Sequence, residues 1–201
     1  IREFRDGGYL PDALVNFMAL LGWNPGTDQE IFSMAELSLQ FDLVKVQKSG
    51  AAFNLEKLDW LNGEYIRRLT PERLAGLLVA HLRRSGLIQE IFDEGLIRKV
   101  AALEQPRLKR LSEVGERADY FFRVPDYDPE LLRWKDMPRS EIAESLRKTS
   151  AWLKNIPEAD FAVRHLEKFF FEKTGAGDKG TVLWPLRVAL TGKKASAGPF
   201  E

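Results

Sequence analysis

The feature that most constrains this chain is the spacing of its apolar residues, which keeps the 3.6-residue period of an α-helix in one segment after another. After the flexible Gly7-Gly8 pair, Pro11 suits a first helical turn; Leu14, Phe17, Met18 and Leu21 come next at i, i+3, i+4 and i+7, and Gly22 is placed to stop the helix. Trp23-Asn24-Pro25-Gly26 reads as a turn, and Ser33 with Glu36 three residues on is a capping box for a short helix. The stretch from Val44 to Phe53 reads as irregular or extended; Asn54 can then cap a helix through Leu55, Leu58, Trp60 and Leu61. Thr70-Pro71 is a strong start for a helix whose stripe is Leu74, Leu77, Leu78, His81 and Leu82, with Gly86 as its stop. Further helices are expected over about 90–105, 107–122, 138–154, 158–173 and 181–191, the last ended by Gly192. A break at Val124-Pro125-Asp126-Tyr127-Asp128-Pro129 divides the later region. With no repeat and no βαβ alternation, the expectation is an all-α fold of two domains, 1–69 and 70–201, the second in two lobes separated near 124–129.

No apolar run reaches the roughly 18 residues of a membrane span, and the start Ile1-Arg2-Glu3-Phe4-Arg5 has neither a signal-peptide core nor an initiating Met. Both ends read as cut from a longer chain, the C-terminus being truncated at Gly198-Pro199-Phe200-Glu201. Zero cysteines remove disulfides, thiolate zinc sites and cysteine nucleophiles together, and the two histidines, His81 and His165, lack metal-site spacing. The 30 basic and 30 acidic residues cancel, but not evenly: residues 1–69 hold 7 basic against 10 acidic groups, residues 70–201 hold 23 against 20. Between Lys179 and Phe200 stand Lys179, Arg187, Lys193 and Lys194 with no Asp or Glu, a stretch that favours an anionic partner.

Gly175-Ala176-Gly177-Asp178-Lys179-Gly180 matches the G-x-G-x-x-G pattern, but a dinucleotide site needs a strand before it, and here the loop comes after an amphipathic helix ending in Phe169-Phe170-Phe171. A loop between helices is the expected reading. His81 on its leucine stripe is expected to be a structural, half-buried side chain, and His165 a solvated one. Asp126 and Asp128 flank Tyr127 as turn formers rather than as an acid/base pair, and no Ser-His-Asp grouping is defensible. Pro106-Arg107-Leu108-Lys109-Arg110 is either a solvated face or a contact for phosphates and base edges. Trp184-Pro185-Leu186-Arg187, with Thr191-Gly192-Lys193-Lys194 after it, joins an aromatic plane to cations, the combination that stacks and bonds unpaired bases, although Trp184 could equally be core.

Three segments together resemble one family, the bacterial-type glutamyl-tRNA synthetases. The stretch from Gly8-Tyr9-Leu10-Pro11-Asp12-Ala13-Leu14 to Leu21-Gly22-Trp23 resembles the segment after that family's ATP-site signature loop. Phe53-Asn54-Leu55-Glu56-Lys57-Leu58-Asp59-Trp60-Leu61-Asn62-Gly63-Glu64-Tyr65-Ile66 resembles the helix closing its stem-contact domain. Leu183-Trp184-Pro185-Leu186-Arg187-Val188-Ala189-Leu190-Thr191-Gly192 with Ser196-Ala197-Gly198-Pro199-Phe200-Glu201 resembles its C-terminal anticodon-binding signature. The three stand in the family's order and cover essentially the whole chain.

The resemblance implies a partial stem-contact domain over 1–69 and a helical anticodon-binding domain over 70–201, both from a ligase that joins glutamate to tRNA-Glu using ATP and Mg²⁺. No H-I-G-H-like or K-[LM]-S-K-R-like sequence occurs, so this stretch is expected to carry no catalytic residue, metal or cofactor, and to be inactive by itself. Arg107 falls where the family reads the third anticodon base, Arg187 at the anticodon end of the Leu-Arg-x-Ala-Leu-Thr-Gly helix, and Ser196, Ala197 and Pro199 on the loop against the first two bases; the family usually has Pro at the position of Ala197. Lys45, Lys48, Lys109, Arg110, Lys193 and Lys194 are the expected backbone contacts. The expected setting is a cytoplasmic monomer on tRNA-Glu, with neither membrane nor DNA. The alternatives are a non-catalytic helical interaction module and a paralogue fused to a different catalytic domain.

Overall fold

A computed structural model describes residues 1–47, 52–175 and 177–201. It is helical throughout; among the described residues the only extended pairing is an isolated antiparallel bridge between Trp23 and Val46. The chain forms two compact units, Ile1–Asp119 and Tyr120–Glu201. Among the described residues no helix is long and apolar enough to cross a membrane.

In the first unit α1 (Arg2–Asp6), α2 (Pro11–Gly22), α3 (Met34–Gln40), α4 (Leu55–Arg67), α5 (Pro71–Arg84), α6 (Glu94–Glu104) and α7 (Val114–Arg117) run in order. The expected starts are the observed ones where a cap defines them. Pro11 opens α2, Ser33 and Glu36 close a reciprocal capping box on α3, and the side chains of Asn54 and Thr70 accept from the third helical N–H of α4 and α5. The apolar faces of α2 and α4 meet around Tyr9, Phe17, Leu58 and Leu61. Two fully buried asparagines brace this core. Asn16 accepts from Phe32 N at 2.7 Å and from the Tyr65 hydroxyl at 2.7 Å, and donates to Glu30 O.

Asn62, on the inner face of α4, ties distant segments of the first unit together. Its Oδ1 accepts from Leu10 N at 2.8 Å while its Nδ2 donates to Gly8 O at 3.3 Å and Lys109 O at 2.6 Å. Leu111 N donates to Gly8 O, Ser112 Oγ to Gly7 O, and Gln105 Nε2 to the carbonyls of Ile66 and Leu69. Gly8 (φ +87°) is required here, since a Cβ would stand 2.4 Å from Ser112 N and 2.6 Å from Leu111 N. These bonds join residues on both sides of Leu69-Thr70 within one compact unit, Ile1–Asp119.

The same bonds explain why no continuous helix covers 107–122. Leu108, Leu111, Val114 and Ala118 are buried at spacings that mimic a helix. The backbone at Lys109 is nevertheless held by Asn62 and Glu113, and Leu111 N is spent on Gly8, so the segment forms two 3₁₀ turns around the four-residue α7.

The second unit holds a 3₁₀ turn at Pro129–Leu132, then α8 (Arg139–Lys154), α9 (Val163–Thr174) and α10 (Gly180–Thr191). The helix expected over 158–173 begins only at Val163, after a separate 3₁₀ turn at Glu158–Asp160. Ile156, Leu166, Phe170, Leu186 and Phe200 form its core. Pro185 lies inside α10 and cannot donate to the carbonyl four residues back, Thr181. The Ser145 hydroxyl of α8 donates to that carbonyl at 2.9 Å, which removes the penalty of an orphaned acceptor. Gly192, left-handed at φ +69°, ends α10 as expected.

Candidate nucleic-acid interface

The basic residues of the first unit gather just past α6. Arg107 N and Leu108 N both donate to the carbonyl of Glu104, closing the helix, and the half-buried Arg107 folds back so that its Nη1 donates to Leu103 O at 2.7 Å. A cation on the last carbonyls of a helix is also favoured by the helix dipole. Leu108 points inward and is fully buried, while Lys109 is exposed on a backbone pinned on both sides, its N–H donating to Glu113 and its carbonyl accepting from Asn62. Arg110 differs: its Nε lies 3.3 Å from Glu113 and 3.8 Å from Asp59, so its charge is countered within the fold. Burial, reinforced by the hydrogen bond to Asp59, pushes the Tyr9 hydroxyl up to about 12 and keeps it a donor to that carboxylate. Lys45 is exposed at the end of a 3₁₀ turn capped by Asp42, and Lys48 lies outside the described residues.

In the second unit, Arg187 is held from three sides. Its guanidinium lies 4.6 Å from the ring centroid of Trp184, its Nη1 donates to Ser196 Oγ at 3.0 Å, and its Nη2 donates to Lys194 O at 2.7 Å. Burial lowers the guanidinium's pKa from its ordinary value, though arginine stays charged at any physiological pH. Ser196 passes the bond on to Ala197 O. Ala197 is only 3% exposed, so its methyl belongs to the interior, while Ser196 and Pro199 are half-buried and present some surface. Lys194 is exposed and Lys193 half-buried.

Trp184 is neither free nor core. Its Nε1 donates to Leu131 O at 2.8 Å, and its ring lies 5.3 Å from that of Trp134. Sequence reasoning passes over Trp134; a lone Trp between Arg133 and Lys135 in a Pro-bounded connection is the available signal. Trp134 Nε1 donates to Asp178 Oδ2 at 3.0 Å and Lys135 Nζ to the same oxygen at 2.8 Å; these bonds, with Gly180 N on the other oxygen, hold the Asp178 carboxylate near a pKa of about 2. The G-x-G-x-x-G stretch is thus a loop from α9 to α10, with Ala176 outside the described residues.

His81 is half-buried on α5, where desolvation and then the Arg84 charge lower its pKa, and His165 is exposed. Asp128 accepts from Glu130 N to start a 3₁₀ turn, and Asp126 is exposed. Among the described residues no three His, Asp or Glu side chains gather in a way that could hold a metal ion.

Comparison with known proteins identifies what the chain is similar to. The family profile described as "Anticodon binding domain" matches residues 73–201, and that described as "tRNA synthetases class I (E and Q), catalytic domain" matches residues 1–60. The glutamate–tRNA ligase of Clostridium tetani is 37% identical over 203 residues, covering 100% of this chain and 41% of that protein. The ligase of Anaeromyxobacter dehalogenans is also 37% identical, again covering 41% of its length. Among solved structures, a glutamate tRNA ligase from Elizabethkingia meningosepticum, in complex with its amino acid, superposes with a TM-score of 0.79 at 29% identity, covering 98% of this chain and 38% of that one. The chain spans about two fifths of the length of the curated relatives it matches. It therefore belongs to the anticodon binding domain family, whose profile spans residues 73–201, and is similar along its whole length to part of glutamate–tRNA ligases.

Proposed function

We propose that this chain is the part of a glutamate–tRNA ligase that grips tRNA-Glu, residues 1–69 meeting the stem and residues 70–201 reading the anticodon. The observation that carries this reading is the fixing of Arg187 on Trp184 and on the 194–196 loop, inside the stretch matched by the anticodon-binding profile. A guanidinium clamped against an aromatic plane loses little freedom on meeting a base edge, and those two bonds leave other N–H donors of its fork for a ligand. In the first unit Arg107 is the base reader and exposed Lys109 the backbone contact; in the second, Arg187, Ser196 and Pro199 face bases and Lys193 and Lys194 face phosphates. Ala197 contributes from beneath, through its backbone. Lys45 and Lys48 are assigned to the stem backbone, and Arg110 is better placed to order the loop than to neutralise phosphate.

The parent enzyme would charge the tRNA using ATP and Mg²⁺ in the cytoplasm, as a monomer. Neither group is assigned a place on this chain. The test is a titration of the 201-residue chain against tRNA-Glu and against a transcript altered at the third anticodon base. Loss of about 1–3 kcal/mol of affinity on that change is expected for a bidentate contact by Arg107. Equal affinity for both transcripts would remove the reading role from Arg107, and retention of a protein partner with no tRNA binding would favour the interaction-module alternative.

A further inference from the structure

In the second unit the Trp134 ring joins the loop after α9 to the Arg187 platform. Gly180 opens α10 directly beneath Trp134: a Cβ there would lie 2.1 Å from Trp134 Cε2 and 2.4 Å from its Nε1. Asp178, two residues earlier, accepts from that Nε1 and from Lys135 Nζ. Lys135 itself sits at φ +51°, an uncommon conformation for a residue with a side chain, held here by the bond to Asp178 and by its own ammonium lying 5.3 Å from the Trp134 ring centre. The Trp134 ring is therefore seated against the backbone of the α9–α10 loop, and its other neighbour is Trp184 at 5.3 Å. Trp184 is tied to the same connection a second time, through Leu131 O, and carries the Arg187 guanidinium.

We propose that Trp134, seated on Asp178 and Gly180, is a positioning residue for anticodon recognition: it touches no RNA and sets the plane of Trp184, and through it the direction of the Arg187 guanidinium. The Gly-rich loop that resembles a nucleotide motif thus has its own task, which requires Gly at 180 for close approach and a carboxylate at 178 as acceptor. Without the Trp134 ring, Trp184 keeps one hydrogen bond and loses the surface that fixes its tilt, and Arg187 loses a defined plane. The inference rests on the base-reading role given to Arg187.

The experiment is a double-mutant cycle on the full chain, read as affinity for a tRNA-Glu anticodon stem-loop, with thermal melting of each variant alongside. Trp134→Leu is expected to weaken binding about two- to tenfold, the worth of one aromatic pair. The same change made on Arg187→Ala is expected to cost nothing further, because what Trp134 positions is already gone. Trp134→Phe, which keeps a ring against Trp184, should restore most of the affinity. Additive losses, or no loss in Trp134→Leu, overturn the positioning role. If Trp134→Leu fails to fold, Asp178→Ala at the exposed edge of the seat replaces it in the cycle, with a smaller loss that must again vanish on Arg187→Ala. Should Arg187→Ala alone leave stem-loop affinity unchanged, the reading of Arg187 fails and this inference with it, whereas additivity with an active Arg187 condemns the inference alone.

Discussion

At the scale of single residues, Asn62 ties three distant parts of the first unit together. It is fully buried and supplies one acceptor and two donors to the backbone groups of Leu10, Gly8 and Lys109, of which Gly8 O keeps Leu111 N as a second donor. Asn62→Ala should cost about 3 kcal/mol, since each buried group left without a partner costs on the order of 1–3 kcal/mol before relaxation. Asn62→Asp is nearly isosteric and should be no better, because its second oxygen would face the carbonyls of Gly8 and Lys109 with nothing to donate. Equilibrium urea unfolding of the three proteins checks this; an Asp variant as stable as the parent would show that the donated bonds contribute little. Nothing in the sequence around Asn62 announces this role. Its neighbours Leu58, Leu61 and Ile66 are legible as the apolar face of a helix, whereas a polar residue on that face reads as an exception until its partners 47 to 54 residues away are known.

At the scale of elements, legibility depends on how local each signal is. The starts at Pro11, Ser33, Asn54 and Thr70 and the stop at Gly192 depend on residues within one turn, and the helices begin and end there. The segment 107–122 depends on Gly8 and Asn62, and there tertiary hydrogen bonds displace the helical ladder despite a helical spacing of buried residues. Likewise Arg107 and Arg187 are legible as candidates through their motif neighbours, while Trp134 and Asp178 are not, because only folding brings them to Trp184. The pairing of α8 with α10 adds a case in which a rule is broken and repaired. Pro185 leaves Thr181 O without its helical donor, and Ser145 supplies one. Ser145→Ala should therefore cost about 1–2 kcal/mol in the parent, as expected for a buried carbonyl left unsatisfied. On Pro185→Ala, whose restored N–H can reach Thr181 O, the same change should cost clearly less. Thermal or denaturant melts of the four proteins measure the coupling, and equal costs on both backgrounds would mean that Ser145 acts through packing alone.

At the scale of the whole molecule, the formal charge is zero, so attraction to RNA has to come from a few local cations rather than from a general positive field. Several cations are already countered inside the fold: Arg110 by Asp59 and Glu113, Arg139 and Arg133 by Glu130, Lys148 by Glu144. Lys45, Lys109 and Lys194 are exposed on the segments assigned to RNA. Each phosphate neutralised releases counterions and steepens the salt dependence of binding by about 0.7 to 0.9 in log K per log salt. Three or four such contacts place the slope at roughly −2 to −4. Lys109→Ala and Lys194→Ala should each flatten it by a little under one unit and weaken all transcripts alike, cognate or altered, since phosphate contacts carry no sequence information. Lys148→Ala, which removes a cation paired along α8, should leave the slope where it was. A slope near about −10 for the parent, the range of proteins that neutralise many phosphates, or a selective loss of the cognate transcript in Lys109→Ala, would contradict a grip made of few phosphate contacts and separate base readers.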